Sequence, residues 1–112
     1  MKDFYEGSMD GQGSLDALIA SSPTLILQFG DDSCAPCHAI RLKLDQWLEA
    51  HPNITARYID IQAHLALCSQ MGIMSVPTVV VYMDGKVAAR EAGYFSLDDM
   101  LARVERYMEM RG

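Results

Sequence analysis

Long apolar runs are missing from this chain. None reaches the roughly 18 residues that a membrane-spanning helix needs, so no membrane partner is expected. The opening segment, Met1-Lys2-Asp3-Phe4-Tyr5-Glu6-Gly7, lacks the apolar core of a secretion signal, and no signal peptide is expected. Positive charge is scarce too. Nine Lys and Arg stand against fifteen Asp and Glu, a net charge of −6, which argues against nucleic acid or an anionic membrane as partner. Cysteine is sparse and odd in number, at three, so a full disulfide framework is not expected. A reducing, cytoplasmic setting follows as the default. There a Cys pair is more often catalytic or metal-binding than structural. Repeats, low-complexity tracts and linkers are also lacking. What remains is a globular composition over 112 residues, half hydrophobic and 21% charged. That is enough for a single domain with a real core, spanning 1–112.

Two of the cysteines stand in Cys34-Ala35-Pro36-Cys37, directly after the apolar run Leu25-Ile26-Leu27-Gln28-Phe29. A helix-like segment follows, and Val76-Pro77-Thr78 opens a second apolar run. A dithiol at the strand-to-helix junction of a βαβ pattern points to redox chemistry. At a helix N-terminus the first thiol meets unpaired backbone N–H groups and the positive end of the helix dipole. Both favour thiolate, the attacking species. The second thiol, one turn on, is placed to attack the resulting mixed disulfide. Cys34 is therefore the expected nucleophile and Cys37 the resolving thiol. Asp31 and Asp32 oppose the thiolate through their charge, and a protonated His38 would favour it.

Along the chain, residues 1–13 are weakly patterned and glycine-rich. They are expected to form a short edge strand around Phe4-Tyr5 or to be poorly ordered. Ser14 is expected to cap a helix over 15–21 that Ser22-Pro23 ends. Residues 24–29 read as a strand buried on both faces. Gly30-Asp31-Asp32-Ser33 reads as a loop. The next helix runs to about residue 50, with Pro36 in its first turn. Its inner face is Ile40, Leu44, Trp47 and Leu48, with Arg41, Lys43, Asp45 and Glu49 facing water. Residues 54–61 read as a strand and 63–71 as a short helix ended by Gly72. Asp84-Gly85 predicts a hairpin between 78–82 and 86–90. Ser96 with Asp99 predicts a cap for a last helix with Leu97, Met100, Leu101, Val104 and Met108 on one face. Right-handed crossovers then make an α/β fold: a mixed four- to five-stranded sheet with helices on both faces.

From about residue 14 to 110 this pattern resembles the thioredoxin family. The resemblance rests on Phe29, Cys34-Ala35-Pro36-Cys37, Asp60, Gly72-Ile73-Met74-Ser75-Val76-Pro77-Thr78, Asp84-Gly85-Lys86 and Gly93. It implies a thioredoxin fold and protein-disulfide reduction through a mixed disulfide, with the redox-active Cys34–Cys37 pair as the only cofactor. It implies a cis bond before Pro77, and Val76 offering backbone groups to an extended substrate beside Ala35 and Pro36. It also implies disulfide-containing protein substrates and a donor resembling thioredoxin reductase; a monomer is expected. Three positions depart from the family. Ser33 stands where Trp is usual, Gln28 where a buried Asp helps move a proton, and Ala56 where that Asp has a Lys partner.

Other readings of the same residues exist. A thioredoxin-fold module would hold a metal or partner protein through Cys34 and Cys37 without turnover, and a zinc or iron–sulfur site would draw on Cys34, Cys37, His38 and Cys68. Cys34-Ala35-Pro36-Cys37-His38 also fits covalent haem attachment, with a Met as axial ligand. No second CxxC exists, however, and the β runs do not suit a haem-wrapping chain. No metal site is expected. Cys68 reads as a small core residue, with a regulatory or dimer-forming thiol as the alternative; Trp47 and the methionines at helical spacing read as core, and His51 and His64 as exposed.

Overall fold

The computed structural model describes residues 1–4 and 11–111. Its elements are β1 (Lys2–Asp3), α1 (Gly11–Ser21), β2 (Thr24–Gly30), α2 (Ala35–Glu49), β3 (Thr55–Asp60), α3 (Leu65–Gln70), β4 (Thr78–Met83), β5 (Lys86–Ala92) and α4 (Leu97–Arg111). The five strands form one mixed sheet in the order β1-β3-β2-β4-β5. β3 runs parallel to β1 and β2, while β4 is antiparallel to both β2 and β5.

β2 is central because it can be. All seven of its residues are buried, and alternation sends them to two cores. Leu25, Leu27 and Phe29 join Leu15, Ile59, Leu67 and Ile73 on the α1/α3 side. Ile26 joins Leu44, Val79, Met100, Leu101 and Val104 on the α2/α4 side. Each such side chain contributes about 1.5–3 kcal/mol on burial. Gln28 falls on the same side as Ile26 and is equally buried, at 0% exposure. A polar side chain in that stripe must find a hydrogen-bond partner to offset its desolvation.

Punctuation in the chain acts as its chemistry predicts. Asp84 and Gly85 take φ of 53° and 82°, the left-handed pair that a two-residue hairpin turn requires. Ser96 Oγ accepts from the Asp99 N–H at 3.1 Å, capping α4. The Val76–Pro77 bond is cis.

Several local expectations are corrected. α1 starts at Gly11, so Ser14 lies inside the helix and does not cap it. The glycines that argued against a helix there are outweighed by the docking of Leu15, which is fully buried. The edge strand is Lys2–Asp3, not Phe4-Tyr5; Tyr5 lies outside the described residues. Phe4 continues the ladder through its N–H, which donates to the Tyr58 carbonyl at 2.8 Å, while its ring plugs the α1/α3 core. Gly30 is the last residue of β2 and not a loop residue.

Arg41 and Asp45 are half-buried, because the first residues lie over them. Arg41 reaches the Asp3 carboxylate at 3.0 Å and the Met1 carbonyl at 2.9 Å. His51 and His64 are half-buried as well. His51 stacks on Trp47 with centroids 3.8 Å apart, donates through Nδ1 to the Trp47 carbonyl at 2.8 Å, and lies 3.4 Å from Glu105. His64 meets the Phe4 ring edge-on at 5.4 Å.

Candidate active site

Cys34 and Cys37 form a disulfide at the start of α2. The helix begins there for three local reasons. Cys34 holds an extended backbone (φ −96°, ψ 99°) and is the N-cap. Pro36 supplies a preset φ where its missing N–H leaves no bond unmade. The Asp31 carboxylate accepts from both the N–H and the hydroxyl of Ser33, at 2.9 and 2.7 Å, folding the preceding loop. The Cys37 N–H donates to Cys34 Sγ at 3.2 Å. That bond strengthens when Cys34 becomes a thiolate.

Access separates the two sulfurs. Cys34 is half-exposed and Cys37 is at 0%. A substrate sulfur can therefore reach only Cys34. Ala35 and Pro36 stand exposed between them. Asp32 is exposed, and its carbonyl accepts from His38 Nε2 at 3.0 Å. His38 is thus tied to the loop that precedes Cys34. Phe29 pairs with Thr78 across β2 and β4. This register puts Pro77, buried and cis, level with Gly30, at the sheet edge from which the dithiol loop springs. Thr78 Oγ1 bonds the Ser75 carbonyl at 2.8 Å, and the Pro77 carbonyl accepts from the Gly93 N–H at 2.9 Å. The loop carrying half-buried Val76 is thereby held at both ends.

Gln28 lies beneath Cys37. Its Nε2 donates to the Cys37 carbonyl at 2.7 Å, which explains a buried amide in an apolar stripe. Its Oε1 is the one buried side-chain polar atom among the described residues with no partner. Ala56 is buried two residues before Tyr58 and offers no charge to this region.

Cys68 belongs to the α1/α3 core, whereas Cys37 lies on the other side of the sheet, over Gln28. The dithiol and Cys68 are therefore not brought together as a shared metal site would need. Among the described residues, no three His, Cys, Asp or Glu side chains converge in a way that would hold a metal ion. Burial, then the charge of Asp60, pushes the Cys68 thiol up to about 11. In the reduced, folded protein Cys68 is therefore expected to escape alkylation at about pH 8, and to react only after denaturation. Because the folded value lies above the ordinary one of 9.0, the unfolded chain ionises first. Stability should fall between those two values and be unaffected by this group below them. Mass-spectrometric labelling checks the first point; Cys68 modified in the native protein as fast as a free thiol would contradict it.

Sequence reading missed Tyr58. The signal was Gly30, since a glycine closing a buried strand marks a close approach. A Cβ there would fall on Tyr58 Oη and within 3.0 Å of Cys37 Cβ.

With this geometry in place, similarities to known proteins carry weight. The chain is 25% identical over 87 residues to thioredoxin from Chlamydia muridarum, covering 78% of this chain and 85% of that one. It is 27% identical over 89 residues to thioredoxin from Alicyclobacillus acidocaldarius, covering 79% and 84%. The solved structure of a point-mutant thioredoxin from Halobacterium salinarum superposes with a TM-score of 0.75 at 26% identity, covering 88% of this chain and 87% of that one. The family model for a thioredoxin-like domain matches residues 12–107. With its dithiol at the head of α2, its cis-proline and its mixed five-stranded sheet, the chain belongs to the thioredoxin-like family and carries that family's thiol–disulfide oxidoreductase chemistry.

Proposed function

We propose that this chain reduces disulfides in other proteins. The observation that carries the reading is the asymmetry of the Cys34–Cys37 pair, one sulfur reachable and the other buried beneath it. Cys34, as thiolate, attacks a substrate disulfide and forms a mixed disulfide. Cys37 then attacks Cys34 Sγ, and the substrate leaves with both electrons of the dithiol. The Cys34–Cys37 disulfide is the cofactor, and a donor resembling thioredoxin reductase restores the dithiol.

Docking is assigned to the surface around Cys34. Val76 offers its backbone groups to an extended substrate and Pro77 shapes the groove, with Ala35 and Pro36 beside them. An open groove of about 630 Å³ runs from Pro36, Ala39 and Ile40 to Gly93, Tyr94 and Phe95. Tyr94 is fully exposed. It supplies aromatic surface near the dithiol helix, where Ser33 replaces the usual Trp. The protein is proposed to act as a monomer in the cytoplasm. Among the described residues no helix is long and apolar enough to cross a membrane.

The test is reduction of insulin disulfides with a small dithiol as electron source. The protein is expected to bring on precipitation of the insulin B chain well ahead of the dithiol alone. A rate equal to the dithiol-only control would refute the proposal.

A further inference from the structure

Cys37 must lose its proton to resolve a mixed disulfide, and Gln28 cannot take it. The surroundings of Cys37 nevertheless contain a second protic group. Tyr58 is the β3 residue in register with Gln28, so the two side chains stand abreast on the α2 face. The tyrosine fills the space that the absent Gly30 side chain leaves. Its Oη and the Cys37 Cβ converge on the single point where a Gly30 Cβ would sit. The ring is clamped from above by the Arg41 guanidinium, 4.4 Å from its centroid, and Arg41 is itself held by Asp3.

Tyr58 also opens outward. With Phe4, Asp32, Arg41, Asp60 and His64 it lines a cleft of about 220 Å³. Tyr58 thus lies between Cys37, at 0% exposure, and an open cleft lined by the carboxylates of Asp3, Asp32 and Asp60. Asp60 lies two residues along the same strand and so on the same face as Tyr58. Its Oδ1 accepts from the Gln62 and Ala63 N–H groups at 2.8 and 3.4 Å, which fixes a carboxylate in the lining of this cleft.

We propose that Cys37 passes its proton through the Tyr58 hydroxyl to the Asp60 carboxylate as it resolves the mixed disulfide. This rests on the reductase reading above. At the start, Cys34 Sγ is bonded to the substrate sulfur. The Cys37 S–H proton moves to Tyr58 Oη while the hydroxyl's own proton moves to Asp60. Cys37 Sγ bonds to Cys34 Sγ, the bond from Cys34 to substrate breaks, and the electron pair leaves with the substrate sulfur as a thiolate. The dithiol is oxidised and the substrate disulfide reduced. The proton on Asp60 leaves through the cleft to water or to the departing thiolate. Burial first, then Asp60, with Asp32 and Asp31 adding to it and Arg41 opposing, holds the phenol above its ordinary value. Tyr58 therefore begins and ends neutral and conducts the proton without storing charge.

The test uses the reduced full chain and a symmetric nitrophenyl disulfide whose thiolate is coloured. The first thiolate released reports attack by Cys34; the second reports resolution by Cys37. Tyr58→Phe keeps the ring under Arg41 and removes only Oη. Its first phase should match the wild type, and its second should be roughly tenfold slower, at the lower end of what a positioned proton carrier contributes. Asp60→Asn keeps the Oδ1 acceptor for the turn. It should slow the second phase likewise and leave the first unchanged, a split between the two phases that a purely structural role would not produce. A second phase unchanged in Tyr58→Phe, with a normal first phase, overturns the relay and leaves the reductase reading intact. A slowed Tyr58→Phe beside a wild-type-like Asp60→Asn overturns Asp60 as the acceptor. A wild-type chain with no first phase overturns the reductase reading and the relay with it.

Discussion

Cys34→Ser is expected to abolish disulfide reduction, and Cys37→Ser to leave the protein covalently locked to its substrates. The two outcomes differ because the two sulfurs do. Cys34 caps α2 at a half-exposed position, where the Cys37 N–H donates to its sulfur at 3.2 Å. Serine at that position offers a hydroxyl far above the pH range in which it could ionise, so the loss should be at least about 10³-fold, as for removal of other covalent nucleophiles. Cys37 has no exposed surface and cannot meet a substrate sulfur directly. Its removal leaves the first attack intact and stops the second, so mixed disulfides through Cys34 should accumulate and dissolve only with added thiol. The measurement is non-reducing electrophoresis of each variant after mixing with oxidised substrate proteins. Adducts on Cys34→Ser but not on Cys37→Ser would mean the roles are exchanged.

Much of this site is legible in the sequence because its elements are dictated locally. Residues 24–29 are apolar with little interruption, which only a strand buried on both faces requires. A capped helix must begin where Pro36 follows Cys34, and Asp84-Gly85 admits little but a hairpin turn. The dithiol roles follow from these elements alone. What escaped reading depends on contacts between distant segments. Arg41 lies on the polar side of α2 by periodicity, yet the first residues of the chain fold over it and place its guanidinium on Tyr58. His51 looks like an exposed helix terminator, yet α2 turns its ring onto Trp47, four residues earlier. Tyr58 looks like any aromatic strand residue. Only the backbone of Gly30, paired across the sheet with Asp60, gives its hydroxyl room beside Cys37. Local patterns thus carry the expected roles of the two sulfurs, while tertiary packing decides which groups surround the second.

That division makes Gln28→Asp the most informative single change under the dithiol. It should accelerate resolution by about tenfold near neutral pH, because it puts a proton acceptor under Cys37 where only an amide stands now. Burial at 0% exposure, with Ala56 supplying no cation, should hold the introduced carboxyl above the usual carboxylate range. A base so tuned works best close to neutrality. The same burial costs stability. The bond from Gln28 Nε2 to the Cys37 carbonyl, 2.7 Å in the native protein, has no counterpart in the shorter side chain. A loss of about 1–3 kcal/mol is expected from the unpaired groups. The sign with pH follows from the raised value. Below the ordinary carboxyl range both states are neutral and the charge penalty is absent. As pH rises the unfolded chain ionises first, so the variant should melt progressively lower relative to wild type up to the folded carboxyl's own value. Single-turnover release from a preformed mixed disulfide, with thermal melts across acid and neutral pH, reads both effects. In the Tyr58→Phe background the acceleration should be larger still, since the introduced carboxyl would then be the only acceptor beside Cys37. If Gln28→Asp resolves no faster in either background, proton removal is not what limits the second sulfur.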